Sequence, residues 1–189
     1  ARQMIWKSIP ILGINAGRLG FLTEVKINET EEILEKIIEG DYLVQPRAML
    51  EACVERDGKQ LFCLPTLNDV VINKTAIARI ATLKLHINDV FVSNVLADGL
   101  IVSSPTGSTA YSLAAGGPLI HPQVNANLIT AICPHTITFR PIVVPDTAKI
   151  SIKITEQDGD VMLTLDGQFG YELKEGDFFG LTVKGSEPF

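Results

Sequence analysis

The chain has 189 residues, of which 46% are apolar, and its 16 basic and 22 acidic residues give a net charge of −6. This apolar content can build a real core in one large domain, or in one domain and part of another. The acidic balance argues against a nucleic-acid-binding protein, which normally has a basic face, but it leaves small phosphate-bearing ligands open. No apolar run is long enough to cross a membrane, so we expect neither a membrane span nor a signal peptide.

The first forty residues predict an α/β unit. Residues 9–14 are a short apolar run, which is typical of a buried parallel strand. A helix is expected after Asn28, which would cap it, and Gly40 is placed to end it. Because residues 1–8 resemble the last turns of a helix, we expect residues 1–43 to be the C-terminal part of a larger, Rossmann-like nucleotide-binding domain.

From residue 44 onwards the patterns predict strands. Alternating apolar residues flank Asp57-Gly58 and Asn88-Asp89, which are hairpin turn sequences. About ten short strands with this spacing indicate a β-sandwich-like domain over residues 44–189. The expected fold class is therefore an α/β fragment followed by an all-β domain.

The cysteines and histidines predict no special chemistry. Three cysteines at irregular spacing argue against a disulfide framework and favour a reducing cytoplasm. Cys133-Pro-His135 and His121 do not have the spacing of a zinc site, so a hydrogen bond from His135 to neighbouring backbone is the simpler interpretation. We assign no metal ligand and no Ser-His-Asp triad.

The stretch from Asp98 to Pro118 is the most informative part of the chain. A short apolar strand leads into a turn of small hydroxyl residues shaped by Pro105 and Gly107, and a helix is predicted from Thr109 to Gly116-Gly117. Such a corner presents backbone N–H groups to a ligand. One hydroxyl residue suffices to cap a helix. This segment has four, so the excess favours ligand binding; the four are Thr106, Ser108, Thr109 and Ser112.

Other polar positions have two interpretations each. The Asn68-Asp69 pair is by itself an ordinary turn, but beside this corner it offers an amide for a base edge and a carboxylate for ribose hydroxyls. Tyr111 either packs in the core or presents a face to a base. Asp166-Gly167-Gln168 is most simply a hairpin turn, although the Gln168 side chain is also able to reach a ligand.

The same residues resemble, in order, the conserved motifs of bacterial NAD kinases. The resemblance covers residues 9 to 177 and rests on Gly13–Leu22, Asn68-Asp69, Asp98-Gly99, Pro105–Tyr111, Ile132–Thr136, Arg140–Val144 and Leu165–Gln168. It implies a two-domain enzyme that transfers the terminal phosphate of ATP, or of polyphosphate in some members, to the 2′-hydroxyl of the adenosine ribose of NAD, assisted by Mg²⁺.

The resemblance also implies which residues bind NAD. Asn68 and Asp69 would hold the dinucleotide, and Asp98 would contact its nicotinamide end. The adenine and ribose sites would be lined by Thr109, Ala110, Tyr111, Ser112, Leu113 and Ala114. Arg79 and Gln168 also match contact positions of the family.

The chain departs from the family pattern in three places. The Gly-Gly-Asp-Gly-Thr motif, whose aspartate is the general base of the family, would precede Ala1, so no catalytic residue is assigned within the chain. Leu96 stands where many relatives have an arginine, and the final helix of the family is absent. We therefore expect the sequence to be part of a longer protein.

Three functions are compatible with these observations. The first is an NAD kinase with NAD and ATP as its partners, cytoplasmic and homo-oligomeric as a dimer or tetramer. The second is a non-catalytic dinucleotide-binding module. The third is a lipid or sugar kinase with a related two-domain plan, against which Asn68-Asp69 and Thr109–Tyr111 argue.

Overall fold

The computed structural model describes residues 9–17, 20, 22–74, 81–136, 138–156, 160–174 and 177–182. The chain divides into two compact units, of which the first ends at Pro46 and the second begins at Arg47. The helical ending expected over residues 1–8 lies outside the described residues. Within these ranges, no helix has the length and apolar character that crossing a bilayer requires.

In its described residues, the first unit contains a short parallel strand pair and one α-helix. Strand β1 (Ile14–Asn15) pairs with β2 (Val25–Lys26), and helix α1 covers Thr30–Glu39. The helix ends at Gly40, as predicted, with a φ of 83° that glycine adopts without steric cost.

Two predictions for this unit are wrong. Residues 9–14 do not form a buried strand, because only Ile14 belongs to a strand, and Ile9 and Ile11 are 49% and 59% exposed. Within the described residues the run gains one two-residue partner strand, which is too little to cover it. Asn28 does not cap α1, because it lies inside a 3₁₀ turn over Ile27–Glu29 and the helix starts after that turn.

The described residues of the second unit form two six-stranded sheets. The strands are β3 (Leu50–Arg56), β4 (Lys59–Thr66), β5 (Asp69–Lys74), β6 (Ala81–Ile87), β7 (Val90–Ala97), β8 (Gly99–Ser103), β9 (Ala126–Ile132), β10 (Ile142–Pro145), β11 (Ile150–Glu156), β12 (Val161–Leu165), β13 (Phe169–Leu173) and β14 (Phe178–Thr182). The first sheet has the order β10-β9-β8-β5-β12-β13 and the second has the order β4-β3-β14-β11-β6-β7. Neighbouring strands are antiparallel in both sheets.

One apolar core joins the two sheets. Ile72, Leu100 and Leu163 of the first sheet lie in the same cluster as Leu85 and Ile152 of the second, and each is at most 1% exposed. Burying one such side chain stabilises the fold by about 1.5–3 kcal/mol. This sandwich, preceded by a small α/β unit, confirms the predicted fold class.

The outer face of β5 carries polar residues. Asp69, Val71 and Asn73 alternate with Val70 and Ile72, which belong to the core. Because successive side chains of a strand point to opposite faces, the first three face away from the core. The first sheet therefore packs one face in the sandwich and offers the other to a site.

The predicted hairpins are present, but the prediction about cysteines needs a correction. The Asp57-Gly58 turn joins β3 to β4, and Asn88-Asp89 joins β6 to β7. Cys53 and Cys63 lie directly opposite each other in the β3–β4 pair and form a disulfide. Cysteine spacing alone does not show this pairing, because it depends on the register of the hairpin.

Candidate functional site

The carboxylate of Asp166 binds residues 66–69, where β4 is followed by β5; this segment is called the corner from here on. Oδ1 of Asp166, in the turn between β12 and β13, accepts hydrogen bonds from the backbone N–H groups of Asn68 at 2.7 Å and Asp69 at 3.2 Å. Its Oδ2 accepts the N–H of Leu67 at 3.0 Å, and the hydroxyl of the buried Thr66 also donates to Oδ1. Successive N–H groups that converge on one anion form a backbone nest. The Asn68–Asp69 pair is thus held in a fixed conformation.

The loop after β8 donates hydrogen bonds to backbone carbonyl groups of the same corner. The N–H of Ser104 donates to the carbonyl of Asn68 at 2.9 Å, and its hydroxyl donates to the carbonyl of Leu67 at 2.5 Å. Gly107 approaches so closely that a Cβ placed there would lie 1.9 Å from the carbonyl oxygen of Asn68. A glycine is required at this position because any side chain would displace the Asn68 backbone.

The hydroxyl-rich turn differs from its prediction. Instead of one helix from Thr109 to Gly116-Gly117, the chain forms a 3₁₀ turn over Thr106–Thr109 and then a single turn of helix, α2 (Tyr111–Ala114). Ala110 separates the 3₁₀ turn from the helical turn, because its φ of −99° and ψ of −127° are far from helical geometry. The backbone of this segment therefore bends beside β5.

Most hydroxyls of this turn are used inside the fold. Ser108 donates to the carbonyl of Pro105 at 2.7 Å and accepts the N–H of Ile120 at 3.0 Å. Thr109 donates to the carbonyl of Thr106 at 3.1 Å. Their abundance, interpreted above as a sign of binding, is explained by the bonds that fix the bend.

A pocket of about 310 Å³ opens where the corner, the bend and β12 meet. It brings together four of the predicted residues: Asn68, Asp69, Ala110 and Tyr111. The other lining residues are Val71, Asn73, Thr164, Asp166 and Gly167. Tyr111 is 44% exposed, so its ring is accessible to a ligand. Pockets of this size with a few convergent polar groups are typical small-molecule sites.

Asp69 has unusual electrostatics. Its side chain is buried, with 5% of the residue exposed. Burial, followed by the negative charge of Asp166, raises the pKa of Asp69 to about 6, and a hydrogen bond from the backbone N–H of Tyr111 partly offsets this shift. The carboxylate is mostly ionised at neutral pH and gains a proton under mildly acidic conditions.

Asp98 lies at the opposite end of β5. Its carboxylate contacts the ammonium group of Lys74 at 2.7 Å and Nε2 of His135 at 3.2 Å. The hydrogen bond from Lys74, followed by that of His135, holds the pKa of Asp98 below its usual value. The prediction that the His135 side chain bonds to neighbouring backbone is wrong, because its partner is the side chain of Asp98, which reaches it only through the fold.

The remaining predicted contacts occupy different surroundings. Ser112 is fully buried and its hydroxyl bonds to that of Thr130 at 2.9 Å, so it presents no side chain to the pocket. Leu113, Ala114 and Gln168 are exposed, and Thr109 is half-buried; their contact with a ligand stays a prediction. Arg79 lies outside the described residues.

Five lining residues of the pocket were not predicted as contacts, among them Asp166 and Asn73. Asp166 was interpreted only as part of a turn, and no prediction was made for Asn73. Oδ1 of Asn73 is buried and has no hydrogen-bond partner in the described part of the chain, so it is open to a ligand group. Asn73 directly follows the apolar run of residues 70–72, and a polar residue at that place was the available signal.

Two protein-family models match the chain. The model of the ATP-NAD kinase C-terminal domain matches residues 67–188, and that of the ATP-NAD kinase N-terminal domain matches residues 1–42. The first match alone spans more than half of the chain. The chain belongs to the NAD kinase family. The resemblance inferred from its motifs is confirmed.

Curated bacterial relatives support the same assignment. The chain is 51% identical over 177 residues to the NAD kinase of Geotalea daltonii, and 49% identical over the same length to that of Geobacter sulfurreducens. Each match covers 94% of this chain and 62% of the relative. The chain thus spans less than two thirds of the length of these NAD kinases.

Solved structures of the NAD kinase family share the fold. A yeast NADH kinase complexed with NADH matches with a TM-score of 0.87 and 32% identity, over 93% of this chain and 51% of that one. An Archaeoglobus fulgidus NAD kinase in complex with ATP matches with a TM-score of 0.76 and 26% identity, over 95% and 66% respectively.

Proposed function

We propose that the protein of which this chain is part is an NAD kinase, which transfers the γ-phosphate of ATP to the 2′-hydroxyl of the adenosine ribose of NAD and forms NADP. One observation carries the proposal: in a chain of this family, the Asn68–Asp69 pair is fixed at the wall of a pocket that also contains Tyr111. The complexes of the two structural neighbours, one with NADH and one with ATP, support it.

The pocket suits the adenosine half of NAD. The Asn68 amide offers a donor and an acceptor to the base edge, and the Asp69 carboxylate accepts hydrogen bonds from vicinal ribose hydroxyls. The accessible ring of Tyr111 provides a face for the base. The backbone of residues 109–114 lines the same side, with Ala110 in the pocket wall.

Asp98 suits the other half of the dinucleotide. The N–H of Lys74, the last residue of β5, donates to the carbonyl of Asp98 at 3.1 Å. Asp69 and Lys74 therefore mark the two ends of one strand, about 16 Å apart at the usual rise per residue. An extended dinucleotide spans such a distance, so we expect the nicotinamide end near Asp98.

The chemistry needs groups beyond those of the pocket. A ribose hydroxyl is a poor nucleophile and requires a carboxylate base, for which the family uses the aspartate of its Gly-Gly-Asp-Gly-Thr motif. In the described residues Asp166 accepts hydrogen bonds from three backbone N–H groups, which compete with any substrate proton for its carboxylate, so we do not assign it as this base. We assign the pocket residues to binding and orienting NAD.

Mg²⁺ would act together with ATP. When bound, it neutralises charge on the phosphate groups during transfer. Among the described residues, the group with metal-ligand spacing comprises Glu51, Cys53 and Cys63 on the second sheet, not in the pocket, and its two cysteines are already joined in a disulfide. We therefore expect the ion to be held mainly by the phosphates of ATP and by water, as is usual for Mg²⁺.

An assay of the full-length protein tests this function. Purified protein is incubated with NAD, ATP and Mg²⁺, and NADP is measured with an NADP-specific dehydrogenase. Formation of NADP is expected. Tight NAD binding without NADP would favour the non-catalytic module, and phosphorylation of a lipid or sugar in place of NAD would favour the third function.

We also propose a cytoplasmic homo-oligomer, a dimer or a tetramer. The edge strand β7 begins with Val90, Phe91 and Val92, which are 66%, 50% and 40% exposed. Exposed apolar side chains on a sheet edge favour pairing between subunits. Sedimentation of the full-length protein as a monomer at micromolar concentration would contradict the oligomer.

A further inference from the structure

The Asp166-Gly167 turn has a second role besides reversing the chain. It lies between β12 and β13, with φ values of 51° at Asp166 and 64° at Gly167. The Asp57-Gly58 turn between β3 and β4 has nearly the same geometry, with φ values of 51° and 72°. Asp57 is exposed, and its carboxylate makes no hydrogen bond within the described residues, whereas that of Asp166 collects four donors.

The four donors leave little of the Asp166 carboxylate for a ligand. Oδ1 accepts from the Thr66 hydroxyl and from two backbone N–H groups, and Oδ2 accepts from the N–H of Leu67. A carboxylate oxygen accommodates about two strong hydrogen bonds. Oδ1 is therefore fully used and Oδ2 partly used by the segment 66–69, so most of the Asp166 carboxylate serves the backbone of that segment.

The bonds act on the residues that face the ligand. Asn68 and Asp69 both line the pocket, and both donate their N–H to Asp166. In return the N–H of Asp166 donates to the carbonyl of Asp69 at 3.0 Å. With the carbonyl side held by Ser104, the backbone positions from which both side chains extend are fixed by one carboxylate.

We propose that Asp166 is a positioning residue, whose carboxylate holds the Asn68–Asp69 pair in the geometry that receives the adenosine of NAD. This inference rests on the proposed function of the pocket. It assigns to the Asp-Gly-Gln turn a role that differs from direct contact between Gln168 and the ligand.

The variant Asp166→Asn removes the carboxylate but keeps the turn, so it tests the role of the carboxylate alone. Asparagine tolerates the left-handed conformation at this position. With its Oδ1 placed to accept from Asn68 and Asp69, the Nδ2 group would face the N–H of Leu67, so two donors would meet. The corner must then shift, while the hairpin itself keeps its turn.

Steady-state kinetics of the full-length protein give the first test. For Asp166→Asn we expect the KM for NAD to rise about tenfold, as for the loss of a hydrogen bond to a charged group. The KM for ATP should change less than twofold, because we assign the Asn68–Asp69 pair to the adenosine of NAD and not to ATP. The matched control Asp57→Asn should leave both KM values unchanged. A folded Asp166→Asn protein with wild-type kinetics, or one with both KM values raised equally, would overturn the proposal.

Hydrogen exchange gives a second test that needs neither turnover nor a folded variant. Leu67 and Asn68 lie outside the strands, and in the described residues Asp166 is the acceptor of both N–H groups. In the wild-type protein both amides should exchange at least a hundredfold more slowly than that of Gly58 in the exposed control turn. Exchange as fast as at Gly58 would overturn the proposal even if NAD binds.

The two tests separate this inference from the proposed function. If the wild-type protein neither binds NAD nor forms NADP, the proposed function fails. Slow exchange at Leu67 and Asn68 would in that case still support Asp166 as the residue that fixes the corner, for a ligand other than NAD. If NADP forms and the Asp166→Asn kinetics are normal, only the positioning role fails.

Discussion

Strand β5 begins with one aspartate and ends beside another, and the two have opposite surroundings. Asp69 at one end is buried, next to Asp166, and its pKa is raised to about 6. Asp98 at the other end is 38% exposed and touches Lys74 and His135, which lower its pKa. The same type of side chain thus has a raised pKa at one end and a lowered pKa at the other. Environment, not residue type, decides how each can serve a ligand.

The largest effect is expected at the Asp69 end from Gly107→Ala. The new Cβ would lie 1.9 Å from the carbonyl oxygen of Asn68, so the corner has to move. We expect a loss of about 3 kcal/mol of unfolding free energy, as for severe overpacking, together with weaker NAD binding. Urea unfolding and calorimetry measure both quantities.

Gly170→Ala is the matched control for this substitution. A Cβ at Gly170 would meet Met162 at 3.5 Å, an ordinary contact. This variant should keep wild-type stability within about 0.5 kcal/mol, as expected for a surface substitution. Equal effects of the two variants would show that Gly107 is not held against the Asn68 backbone.

The next largest effect is expected on the pH dependence of the unfolding free energy, which the ionisation of Asp69 changes. Its pKa rises from 3.8 in the unfolded chain to about 6 in the folded one, so the folded state binds the proton more tightly. Ionisation of Asp69 therefore costs stability, by about 3 kcal/mol at pH 8 and nothing below pH 3.8. We expect Asp69→Asn to unfold at higher urea concentration than wild type at pH 8, with the difference shrinking through pH 6 and vanishing near pH 4. A difference that does not depend on pH would contradict this environment for Asp69.

A smaller effect is expected at the other end of β5. Asp98→Ala should weaken NAD binding about tenfold, because a hydrogen bond from the ligand to a charged group is lost. Since the pKa of Asp98 is lowered, this factor should be the same at pH 6 and pH 8. Calorimetric titration of the folded variant at both pH values tests the contrast with Asp69, and unchanged affinity would remove Asp98 from the site.

The smallest effect is expected from Lys74→Met. This change removes the ammonium group 2.7 Å from Asp98 and keeps most of the side chain volume. Half-exposed ion pairs contribute little, so NAD affinity at pH 7 should fall less than about threefold. A loss as large as that of Asp98→Ala would mean that Lys74 itself contacts the dinucleotide.

Local patterns were sufficient for much of the fold. The alternation of apolar residues on both sides of Asn88-Asp89 predicted the strands β6 and β7, and Asp57-Gly58, Asn88-Asp89 and Gly40 marked two turns and the helix end correctly. These features depend on neighbours in the chain, so the sequence displays them directly. The ordered motifs also identified the family, and the pocket contains Asn68, Asp69, Ala110 and Tyr111 as predicted contacts of one ligand.

Other features were decided by the tertiary structure. The helix expected after Thr109 is a single turn, Cys53 bonds to Cys63, and His135 turns to Asp98. Asp166 bonds to N–H groups 97 to 99 positions earlier in the chain. No local pattern carries information about contacts at such separations. The sequence determined by itself where most strands and turns lie and which family the chain belongs to, whereas the packing of β5 between β8 and β12 decided which carboxylates line the pocket and which one bonds to the backbone of Asn68 and Asp69.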